Sequence, residues 1–177
     1  SLDQADELSS YRRRFETDFD WRIEVQHIVE AARANGLTPG DLSGCATRSI
    51  TELDQCLGPC TKDDLDKAFA TAMTKALAAI DTSFDDTKKT GAYVDLLRAC
   101  SADLQADRLP WGAWAKLGSN EPAAKSVMFA NPVQRLALRH IEHPRLRDEL
   151  HGLITSLFEV AAQALEAYET YKRDRGL

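Results

Sequence analysis

Trp111 and Trp114 stand three residues apart, beside Arg108, Lys116 and Lys125. Those residue types in that pattern suit a nucleic-acid surface, in which cations neutralise phosphates and aromatic planes stack on bases. Arg135 and Arg139 extend the same basic stretch. A competing reading makes both indoles the anchors of a loop packed on the core. Lys88-Lys89 is a second, smaller basic spot, offset by Asp85-Asp86 beside it.

Other chemistries find less to work with. The thiols are Cys45, Cys56, Cys60 and Cys100, with Gly58-Pro59 inside the Cys56-x-x-x-Cys60 pair. A structural zinc site needs four ligands at short spacing. Cys45 is eleven residues upstream of that pair and Cys100 forty downstream, so free thiols are expected, two or three of them buried. His140-x-x-His143, with Glu142 between, has the spacing of neighbouring helix positions, but Pro144 disfavours helical geometry at His143 and marks a helix boundary. Asp63-Asp64-x-Asp66 and Asp85-Asp86 read as acidic charges at helix N-termini. No G-x-x-x-x-G-K-[ST] run and no apolar strand ending in paired acids occurs, so no ATP site is expected within these residues.

Charge narrows the partners. The net charge of −6 excludes a surface that coats DNA generally. Residues 1–106 carry twelve basic and nineteen acidic side chains. Residues 108–147 carry seven basic side chains, opposed only by Glu121 and Glu142, for a net +5. An acidic body with one basic segment points to local contact with an anion such as a phosphate backbone.

The elements that must position these residues are helices. Trp21, Val25, Ile28, Val29 and Ala32 form one apolar stripe, stopped by Asn35-Gly36. Thr38-Pro39 opens a short helix through Asp41, Leu42 and Cys45, and Ser49 caps another through Ile50, Leu53 and Leu57. Thr61 to Asp64 has the form of a capping box ahead of Leu65, Phe69, Met73, Ala76, Leu77 and Ile80. Tyr93, Leu96, Leu97, Cys100 and Leu104 mark the next helix. Residues 108–132, rich in Gly and Pro, predict an irregular or briefly helical connection, after which Asn131-Pro132 restarts a helix. His143-Pro144 opens a final helix of about thirty residues and roughly 45 Å. Gly and Pro are sparse, and no run of about eighteen apolar residues or signal-peptide pattern occurs. The expectation is a single all-α domain over residues 1–177, an irregular multi-helix bundle of six to eight helices with a long C-terminal helix.

Three stretches resemble UvrD/RecB/AddA-type superfamily 1 DNA helicases: Ile28 to Leu42, Arg108-Leu-Pro-Trp-Gly-Ala-Trp-Ala-Lys-Leu117, and Tyr168-Glu-Thr-Tyr-Lys-Arg-Asp-Arg-Gly-Leu177. They are similar to the helical insertion called subdomain 1B. The resemblance implies an accessory part of a larger motor, whose ATP and magnesium belong to the parent's RecA-like domains and not to these residues. It implies weak contact with DNA, through Arg108, Trp111, Trp114, Lys116, Lys125, Arg135 and Arg139, and contact with the remaining helicase subdomains. Together with the unpaired thiols it points to the cytoplasm, with no membrane partner. Two alternatives stand beside it. One is a freestanding helical adaptor with protein partners. The other rests on Arg135-Leu-Ala-Leu-Arg-His140, which resembles the R-x-x-x-x-H motif of HEPN ribonucleases except for Leu136 after the Arg.

Overall fold

A computed structural model describes residues 2–106 and 109–176, the side chains of residues 2 and 3 excepted. Among them are eight α-helices, one 3₁₀ turn and no strand: α1 (Leu2–Phe15), α2 (Trp21–Ala34), α3 (Asp41–Leu57), α4 (Leu65–Thr82), α5 (Lys88–Gln105), α6 (Trp111–Ser119), α7 (Val127–Leu138), the 3₁₀ turn (Arg139–Glu142) and α8 (Pro144–Asp174). The chain is all-α, as its periodicity predicts. No helix among the described residues is long and apolar enough to cross a membrane.

Contacts divide the chain into two compact units. The first comprises Ser1–Arg13, Thr17–Pro59 and Arg147–Leu177. Its core gathers Val25, Ala32, Leu42, Ala161 and Leu165, with Trp21, Ile28, Leu37 and Phe158 packed against them. The stop after α2 is a Schellman motif: Gly36 takes a φ of 65°, its N–H donates to Arg33 O, and the Leu37 N–H donates to Ala32 O. Glycine adopts that left-handed conformation without a Cβ penalty, and Leu37 then turns back onto the core.

The second unit comprises Arg14–Glu16 and Cys60–Leu146. Phe69, Met73, Leu97, Trp114, Leu117, Val133 and Ala137 are essentially inaccessible there and form its core. Helix α4 and helix α7 run antiparallel. The hydroxyls of Ser83 and Ser126 meet at one end of the pair, and the Arg139 guanidinium donates to Asp63 at the other.

Three local expectations are corrected, and one helix is added. α3 is one helix of 17 residues with no break at Ser49; the hydroxyls of Thr47 and Thr51 bond back to carbonyls one turn earlier, so polar residues sit in the helix without ending it. The cap of α4 is Asp64, whose carboxylate accepts from the Lys67 N–H, because the Thr61 hydroxyl is taken by the Asp63 N–H and Arg139. Residues 111–119 take the briefly helical option as α6, but Pro132 lies inside α7 instead of starting it. Proline removes the helical bond to Met128 O, a tolerable loss because Pro132 and Met128 are both exposed. Finally, α1 precedes the first stripe read from the sequence, and its Leu8 and Tyr11 are buried.

Candidate functional site

The basic segment is built on α6, α7, the 3₁₀ turn and the start of α8. Helix α6 opens after Pro110 and carries Trp111, Ala113, Trp114 and Leu117 on a buried face. Trp114 has no exposed surface and Trp111 keeps 5%. Trp114 stacks on Phe69 with ring centroids 4.1 Å apart, and Trp111 lies 6.0 Å from it. Neither indole presents a face on which a base could stack. The Trp114 N–H has no hydrogen-bond partner among the described residues, a desolvation cost of about 1–3 kcal/mol that its packing must outweigh.

His143 is set edge-on against both indoles, at 5.2 and 5.9 Å. Its Nδ1 accepts from the Arg145 backbone N–H, and its Nε2 meets the Asp66 carboxylate at 3.2 Å. An acceptor at Nδ1 and a donor at Nε2 define the Nε2–H tautomer. Both ring nitrogens are therefore engaged inside the fold. Hydrogen bonding from His143 holds the Asp66 carboxyl below its usual range against the opposing effect of burial. The Arg145 guanidinium lies over the Trp111 ring at 4.8 Å and faces Asp66 at 3.6 Å.

The cations meet carboxylates drawn from elsewhere in the chain. Lys116 Nζ lies 2.6 Å from Glu16. Arg139 donates through Nε to Glu142 at 2.9 Å and through Nη2 to Asp63 at 3.0 Å; these two partners hold its proton more firmly, and its hydrogen bond in turn depresses the Asp63 carboxyl. Arg147, in the first unit, donates to Asp54 at 2.8 Å and to Gly58 O at 3.0 Å. His151 shares the same Asp54 oxygen at 2.8 Å, and the two together lower that carboxyl, His151 the more. Lys125 Nζ donates to the Phe84 carbonyl at 3.3 Å. Arg135 is exposed on α7, and it makes no ion pair among the described residues. Arg108 lies outside the described residues. Of the seven cations in the segment, only Lys125 and Arg135 are thus described and free of a carboxylate partner.

One polar site escaped the sequence reading. Asp85, in the turn between α4 and α5, accepts from the Ser126 hydroxyl at 2.6 Å, the Thr90 hydroxyl at 2.8 Å and the Thr87 N–H at 3.2 Å. Thr90 and Ser126 are buried, and the Thr90 oxygen also accepts from the Ala123 N–H. These bonds, that from Ser126 foremost, lower the Asp85 carboxyl to about 2. The Asp-x-Thr spacing from Asp85 to Thr87 was the available signal for this turn; the reach to Ser126 carried none.

Cys100 is the one buried thiol, with Cys45 half-buried and Cys56 and Cys60 exposed, fewer buried than the sequence suggested. Burial pushes the Cys100 thiol up to about 11, away from the reactive thiolate. Among the described residues no group of three or more His, Cys, Asp or Glu side chains is placed to hold a metal ion. No protein-family model, curated protein or solved structure matches this chain.

Proposed function

We propose that this chain is a non-catalytic helical accessory domain of an ATP-driven DNA motor, the place that subdomain 1B occupies in UvrD/RecB/AddA-type helicases. In that place it steadies duplex DNA or neighbouring subdomains near the strand-separation junction. One observation carries the non-catalytic part of this reading: the side chains best suited to chemistry are occupied in holding the fold together. The indoles are buried, His143 has both nitrogens engaged, and Lys116 and Arg139 face carboxylates. Lys125 and Arg135 remain for phosphate contact, which suits a weak and local grip on DNA. ATP and magnesium belong to the parent's motor domains. The helicase resemblance and the free thiols support a cytoplasmic location.

A freestanding helical adaptor is the second reading. It is favoured by the exposure of Met128 (68%), Leu138 (58%) and Ile141 (44%) along α7 and the 3₁₀ turn, apolar area that a protein partner would cover. The ribonuclease reading has less support, because His140 Nδ1 is already engaged with Ala137 O.

The parent gene separates the first two readings. Sequencing on either side of the codons for residues 1–177 should find a Walker A segment upstream and an acidic Walker B strand downstream. A start codon directly before Ser1 and a stop codon directly after Leu177 would leave the adaptor.

A further inference from the structure

We infer that the groove between α4 and α7 is a docking site for an acidic amphipathic helix of a protein partner. The antiparallel pairing of these helices leaves a furrow of about 620 Å³ on the second unit. Ala68 and Ala72 from α4 and Pro132 and Leu136 from α7 line its floor. The alanines keep the floor low, and Pro132 adds apolar surface with no N–H to solvate. One turn before Pro132, the exposed Met128 prolongs the apolar strip along α7.

Charge selects the occupant. Lys67 and Lys75 stand on the α4 wall of the groove, and Arg135 is exposed on α7 one turn beyond Pro132. None of the three is paired with a carboxylate among the described residues, although the chain has a net charge of −6 and most cations of the basic segment are paired. Lys67 and Lys75 are eight residues apart, or about 12 Å along the helix. Carboxylates two turns apart on a docking helix have the same reach, while the residues between them lay their apolar face on the alanines. Asp64 closes one end of the groove and therefore favours the positive N-terminal end of an incoming helix there. A phosphate backbone would meet the same lysines but would gain nothing from an apolar floor, so the furrow favours a helix over nucleic acid. This inference goes beyond the accessory-domain reading and stands whether the parent is a motor or an adaptor.

The test is fluorescence anisotropy of the whole chain with a labelled amphipathic peptide of about fourteen residues, whose helix of roughly 21 Å spans the roughly 12 Å between Lys67 and Lys75 with nearly a turn to spare at each end. The peptide carries Leu on one face and Glu flanking it. It should bind, and Lys67→Glu with Lys75→Glu should weaken it by about tenfold or more. A matching peptide with Lys in place of Glu should recover that loss, which a merely damaged fold could not do. As a control on the floor, Ala72→Arg should also abolish binding while circular dichroism stays helical. The inference is overturned if charge reversal leaves affinity unchanged, if duplex DNA of equal charge binds the groove more tightly than the peptide, or if the chain self-associates through this face and the peptide cannot compete.

Discussion

Trp114 and Asp85 illustrate how differently single residues are committed in this chain. Trp114 is fully buried and stacked on Phe69, so truncation should leave a cavity. Trp114→Ala is expected to destabilise the fold by about 3–5 kcal/mol in urea denaturation. Trp114→Phe should cost clearly less, because a phenyl ring refills most of the cavity and keeps the stack on Phe69. An equal loss for both variants would mean that the filled volume beside Phe69 is not what Trp114 contributes. Asp85 titrates near 3.9 in an unfolded chain and at about 2 here. A carboxyl depressed on folding contributes stability that is fully present above about pH 4 and is lost as pH falls through about 2. Stability should accordingly fall across that window, and Asp85→Asn should flatten the fall while lowering stability at neutral pH. Thermal melts at pH 2, 3, 4 and 7 check both halves of that expectation.

At the scale of elements, close approach decides more than propensity. Gly112 sits in α6, where alanine would ordinarily add about 1 kcal/mol of helix stability. A Cβ there would come within 2.6 Å of Glu16 Cβ and 3.0 Å of Phe15 O. Because Glu16 is already at a φ of 48° and one of the obstacles is backbone, the neighbours have little room to yield. Gly112→Ala should therefore lower the melting temperature; a rise would show that the α1 end gives way freely. The elements also reveal what the sequence could express. The Asn35-Gly36 stop and the Pro144 start were legible, since each rests on one local backbone preference. The unbroken run of α3 was not, although Leu42, Ala46, Ile50, Leu53 and Leu57 keep helical spacing past Ser49: small residues such as Gly44 and Ala46 dilute the stripe, and a serine that could cap need not. Residues 108–132 looked irregular or at most briefly helical because Pro110, Gly112 and Gly118 are breakers in isolation, and the apolar face of α6 packed in the second unit's core selects the helical option over 111–119.

For the molecule as a whole, formal charge along the chain was a poor guide to surface charge. The +5 of residues 108–147 counts only Glu121 and Glu142 as opponents. Folding brings Glu16, Asp63 and Asp66 to cations of that segment within the second unit, and Asp54 to Arg147 within the first. All four carboxylates are distant in sequence from their partners, so spacing could not reveal the pairings. The exposed ones among these pairs, such as Lys116–Glu16, add little stability, but all four remove cations from contact with phosphate. The candidate DNA surface thus shrinks from seven residues to Lys125 and Arg135, with Arg108 outside the described residues.

The salt dependence of DNA binding by the purified chain tests this account most directly. Each phosphate contact contributes about −0.9 to the slope of log K against log salt, so binding through the two or three cations left available in residues 108–147 predicts a slope of about −2 to −3 and weak binding that is gone by about 200 mM salt. A slope near −6, as seven free cations would give, or tight binding that survives salt, would contradict it.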